Sequence, residues 1–206
     1  GEVGHPIIEP DEIREAVKVA EAYGTYVAIH CHGSRAIDNA VKSGVHTVEH
    51  ASLISEETLR YMEKNDLDCG IVPTLFVITN MIATENDNPA AKRAATILDQ
   101  IFESLKNAYR HGVLIGWGTD VRMPQYLAHP ETEFRLRKEK LHYADEDIIR
   151  QATINSAKLM RMDDRIGSVK VGKDADLLLV EGDPARDITV MYQKPAHVFK
   201  KGVRIR

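Results

Sequence analysis

His30, His32, His50 and Asp120 are the residues of this sequence whose types and spacing best suit chemistry. Two imidazoles and a carboxylate arriving from separate segments suit a divalent transition metal, zinc by default. Water on such an ion becomes acidic enough to serve as a nucleophile near neutral pH. His30 closes the apolar run Tyr26-Val27-Ala28-Ile29-His30, and His50 closes the segment Val45 to His50. Asp120 closes Val113-Leu114-Ile115-Gly116-Trp117-Gly118-Thr119-Asp120. His32 lies two residues beyond His30, so extended backbone sets both on one side and Cys31 on the other.

Each residue also has a plainer reading. A strand-end histidine is commonly a hydrogen-bonded core or loop residue, and Asp120 can cap the segment that follows it. Cys31 reads as a small core residue and Trp117 as packing. Glu49 is either a carboxylate orienting a neighbouring histidine or a solvated, salt-bridged side chain. Arg35, Arg122 and His129 are basic loop residues that can receive a carboxylate or stay solvated.

The elements that must position these groups alternate in type. Asp11 reads as an N-cap, with Ile13, Ala16, Val17 and Ala20 at helical spacing up to Gly24. Ala36, Ile37, Ala40 and Val41 form a second stripe closed by Gly44. Ser55 caps a third helix, with Glu56 and Glu57 in its first turn. Cys69 to Pro73 is the next strand. Pro89 opens the longest helix, striped through Ala91, Ala94, Leu98, Ile101, Leu105 and Ala108 to a stop at Gly112. Four strand–helix alternations predict a parallel α/β layout, in which functional groups gather at the carboxyl ends of the strands. After Met162 the pattern changes to short strands, Ala175 to Val180 and Ala196 to Arg206, with no helix between them. A boundary near 163 therefore separates 1–163 from 164–206.

Composition excludes several classes. Lys and Arg total 27 against 31 Asp and Glu in 206 residues, a formal charge of −4. Nucleic-acid binding through a concentrated basic surface is not expected. The longest apolar run, Ile71 to Ala83, is broken by Pro73 and Asn80 and is too short to span a bilayer. Two cysteines make no disulfide scaffold, which points to a reducing, cytoplasmic setting. The chain opens at Gly1 without a methionine, so a start further upstream is expected.

These residues also carry a resemblance. Val27-Ala28-Ile29-His30-Cys31-His32-Gly33, followed by Ala40 through His50, resembles the amidohydrolase superfamily, in its branch near imidazolonepropionase and the Xaa-Pro and Xaa-Arg dipeptidases. Trp117-Gly118-Thr119-Asp120 is similar to that family's strand-eight motif, and Ala152 to Ala157 to the helix after it. Ile166 to Val169, Gly172 to Leu177 and Gly182-Asp183-Pro184 are similar to its C-terminal β-sandwich signature.

The resemblance implies the C-terminal half of a (β/α)8 TIM-type barrel, strands five to eight, over 1–163, and part of a small β-sandwich over 164–206. It implies a metal-dependent hydrolase of C–N bonds in amides, cyclic amides or dipeptides, working through a metal-activated water. His30, His50 and Asp120 would be ligands of a divalent metal, with zinc the default. Asp120 would also be the catalytic proton shuttle. His32, Arg122 and His129 would contact substrate. The family's His-x-His pair on strand one and its strand-four lysine have no counterpart here. Such barrels take about 250 residues, and roughly 160 precede the tail. The chain is thus expected to form an oligomer, or to depend on an N-terminal half. A catalytically silent fragment that only folds or assembles is the alternative.

Overall fold

The computed structural model describes residues 5–206; the expectation about a start upstream of Gly1 falls outside them. The chain is α/β and divides into two compact units, one reaching Gly118 and the other Thr119–Arg206.

In the first unit, helix α1 (Pro10–Ala22) precedes strand β1 (Ala28–Cys31), then α2 (Ser34–Lys42), β2 (Thr47–His50), α3 (Glu56–Lys64) and β3 (Gly70–Val72). Helices α4 (Leu75–Thr84) and α5 (Pro89–Arg110) follow. The strands are parallel and lie in chain order, β1-β2-β3. A parallel bridge from Ile71 to Ile115 extends the sheet. Ile29, Val48, Ile71 and Ile115 form one cross-strand row. Val48, Ile71 and Ile115 are buried in it, with Ile37, Val41, Leu59 and Leu105. The next row, His30, Glu49 and Val72, takes the opposite face because side chains alternate along a strand. One face thus builds the core, and the other presents polar groups.

Local chemistry explains the helix starts. Ser55 Oγ accepts from Thr58 N at 3.1 Å, the expected cap of α3. Pro89 occupies the first turn of α5, and Asn88 Oδ1 accepts from Ala90 N at 2.8 Å. α1 begins two residues earlier than expected: Pro10, whose φ is preset for a helix, opens it, and Glu9 rather than Asp11 holds the N-cap. Two further expectations change. The expected strand from Cys69 to Pro73 shortens to β3, because proline cannot continue the ladder, and the apolar stretch after it, given no element in the sequence reading, forms α4. The expected strand ending at Asp120 contracts to the single bridge at Ile115.

The second unit holds short helices α6 (Met123–Ala128), α7 (Thr132–Glu139) and α8 (Asp145–Arg150). A π turn (Gln151–Asn155) then leads into α9 (Ser156–Leu159). Arg137 and Glu133 are fully buried; Arg137 Nε donates to Glu133 Oε1 at 3.0 Å and Nη1 to Gln151 Oε1 at 2.6 Å. An antiparallel sheet of β4 (Leu177–Leu179), β5 (His197–Lys200) and β6 (Val203–Arg204) closes the chain. A 3-10 turn over Ile188–Tyr192 interrupts the tail, where no helix was expected. Its Ile188 is fully buried, which gives the turn a packing role.

Candidate metal centre

His30 leaves β1 on the polar face, and His32 follows it on the same side. Their ring centroids lie 4.7 Å apart, nearly perpendicular at 86°. Cys31 points the other way and is buried at 6 % exposure, in keeping with its reading as a core residue.

His50 joins them by a backbone device. Its partner across the ladder is Cys31, so the pleat would send its ring to Cys31's face. Instead His50 takes a left-handed φ of 69°, followed by Ala51 at 46°. That turn brings its ring to 4.5 Å from His30 and 4.6 Å from His32, stacked on the latter at 19°. One ligand atom from each of the three rings lies within 4.8 Å of the others.

His50 is 6 % exposed. Burial, helped by the neighbouring imidazoles of His32 and His30, pushes its pKa down to about 4. It is therefore neutral at pH 7, the form in which imidazole binds metals. Three converging imidazoles, one of them locked neutral, fit a divalent transition ion.

Two hydroxyls missed by sequence reading touch this cluster. His50 Nδ1 lies 2.5 Å from Thr74 Oγ1, just past β3, and His32 Nδ1 lies 2.8 Å from Ser52 Oγ. Glu49 accepts from Thr47 Oγ1 at 2.8 Å. A cavity of about 370 Å³ borders His30 and His32 and is otherwise lined mainly by apolar groups, among them Pro6, Ile8, Ile13 and Ile29.

The remaining expected site residues belong to the second unit. Asp120 is exposed and holds a left-handed φ of 52°. Arg122 and His129 flank α6 as its N-cap and C-cap, both exposed, with His129 Nδ1 3.8 Å from Glu131. Of the six expected site residues, then, the structure gathers His30, His32 and His50.

Residues 1–205 match the amidohydrolase family, and the chain belongs to that family. It is 27% identical over 199 residues to the ochratoxinase of Aspergillus niger, covering 94% of this chain and 40% of that protein. It is 22% identical over 171 residues to the imidazolonepropionase of Picrophilus torridus, covering 82% of this chain and 39% of that one. The crystal structure of a prolidase complexed with N-methylphosphonate-L-proline superposes with a TM-score of 0.87 at 31% identity, covering 97% of this chain and 49% of the prolidase. The chain thus spans half or less of the length of these relatives.

Proposed function

We propose that this chain forms the C-terminal half of the active site of a metal-dependent hydrolase cleaving C–N bonds. The observation that carries this reading is the convergence of His30, His32 and His50 with His50 held neutral. Barrel strands five to eight would correspond to β1, β2, β3 and the segment bridged at Ile115, and a boundary near 163 would separate barrel from sandwich.

His30 and His50 would hold the ion, with Asp120 as the carboxylate ligand and His32 beside them to contact substrate. When bound, a divalent ion such as zinc polarises a scissile carbonyl and acidifies water. Asp120 would take a proton from the attacking water at its carboxylate and return it to the leaving amine nitrogen. Arg122 and His129 would receive a substrate carboxylate. The prolidase and imidazolonepropionase relatives suggest dipeptides and cyclic amides as substrates. Both cysteines are free and buried, which supports a reducing, cytoplasmic setting.

A second reading rests on coverage. A chain spanning 40% of ochratoxinase can be a silent half that folds or assembles without turning over substrate. Metal content separates the two. Elemental mass spectrometry after exhaustive dialysis should find about one zinc per chain if the histidines suffice. A metal-free chain that refuses added zinc would favour the silent fragment.

A further inference from the structure

The two hydroxyls on the histidine cluster make the same contact twice. Thr74 Oγ1 meets Nδ1 of His50, and Ser52 Oγ meets Nδ1 of His32, at 2.5 and 2.8 Å. Both are sealed from solvent, Ser52 at 1 % exposure and Thr74 at 5 %. A neutral imidazole carries a single N–H. When Nδ1–H donates to a hydroxyl oxygen, Nε2 carries the lone pair that a metal takes. We propose that Thr74 and Ser52 are positioning residues of the metal centre, holding His50 as an Nδ1–H tautomer that presents Nε2 to the ion and His32 as one that turns its Nε2 toward the substrate beside it. This deepens the metal reading above and rests on it.

The Thr74 hydroxyl is itself aimed. A Cβ built on Gly118 would stand 3.2 Å from Thr74 Cγ2 and 2.8 Å from Val72 Cγ1. The Thr74 methyl therefore packs into the space a glycine leaves. With Cγ2 seated there, the stiff β-branched side chain keeps Oγ1 on the His50 side. Two backbone bonds hold Gly118's segment in register, Ile71 N to Leu114 O and Gly116 N to Ile71 O, each 2.9 Å. Ser52 is placed by the left-handed turn at His50 and Ala51, which Leu53 N ties back to His32 O at 3.0 Å. A hydroxyl orients an imidazole without adding charge to the site.

The test uses the 206-residue chain and two readouts. Zinc affinity is measured by competition with a chromophoric chelator for wild type, Thr74→Val and Thr74→Ser. Histidine tautomers are read in the metal-free proteins by long-range proton–nitrogen NMR. Thr74→Val should weaken zinc binding about 10- to 100-fold and lose the Nδ1–H signature of His50. Thr74→Ser, which keeps the hydroxyl but not the seated methyl and serves as the folded control, should bind zinc more tightly than Thr74→Val and keep the Nδ1–H signature. The proposal is overturned if Thr74→Val binds zinc like wild type, if Thr74→Ser is as weak as Thr74→Val, or if wild-type His50 carries its proton on Nε2. A wild-type chain with no zinc affinity refutes the metal reading instead. The tautomer spectra, recorded without metal, then still decide what Thr74 does.

Discussion

His50 and Asp120 share a backbone state that non-glycine residues seldom adopt, with φ of 69° and 52°. Histidine and aspartate tolerate it better than most residues, and such strain concentrates at functional sites. For Asp120, replacement by Asn keeps the shape and removes the proton acceptor. If the chain is the hydrolase proposed above, Asp120→Asn should lower C–N bond hydrolysis by the zinc-loaded protein about 10²- to 10⁴-fold with an unchanged circular dichroism spectrum. Full activity would remove Asp120 from proton transfer. Cys69 supports a pH prediction. Burial, with Asp68 adding to it, pushes its thiol up to about 12, above the ordinary value of 9. Stability from the buried neutral thiol is complete below pH 9 and is lost as pH climbs toward 12, because the unfolded chain gives up its proton first. At about 1.4 kcal/mol per pKa unit the loss approaches roughly 4 kcal/mol. Urea melts at pH 8, 10 and 11 should show wild type losing more stability than Cys69→Ala. Parallel curves would place the thiol in a wetter setting. The shared side of His30 and His32 was legible, because strand periodicity sets it. The aim of His50 was not, since it comes from a left-handed φ that no residue type announces. Ser52 and Thr74 were equally hidden, meeting their partners across 20 and 24 positions.

Among the elements, those with chemical punctuation were the readable ones. Ser55 before α3, and Pro89 and Gly112 around α5, marked starts and stops that the structure keeps. α4 carried no such signal, since its apolar run suits a buried strand as well as a buried helix. The π turn at Gln151–Asn155 sits inside a stretch whose pattern is plainly helical. Gln151 accepts from the same Arg137 that pairs with Glu133. Arg137→Met would remove a cation from a carboxylate that water cannot reach. The expected loss is about 3–5 kcal/mol in chemical denaturation, with Arg137→Met and Glu133→Gln together less harmful than Arg137→Met alone. Additive losses would mean that the two side chains do not act as a pair.

At the scale of the molecule, alternation and tail composition made the α/β class and the terminal strands legible. The length available decides the rest. Among the described residues β1 pairs with β2 alone, and Ala28 and His30 on it are exposed. The tail exposes Val169, Val171, Leu178, Leu179, Val203 and Ile205. Unpaired strand edges and apolar patches favour association. Sedimentation velocity of the isolated chain should therefore show species heavier than one chain that grow with concentration, and a monodisperse monomer would count against pairing across the edge.

The strands stand in space in the order in which they occur along the chain. A ribosome therefore delivers the cluster piecemeal: His30 and His32 first, His50 next, Thr74 after that, and Gly118 last. On this account a nascent chain holds imidazoles long before it holds the hydroxyl that orients His50 or the glycine that seats that hydroxyl. If Thr74 orients His50 as proposed, the complete, oriented set of imidazoles exists only once the chain has been made as far as Gly118.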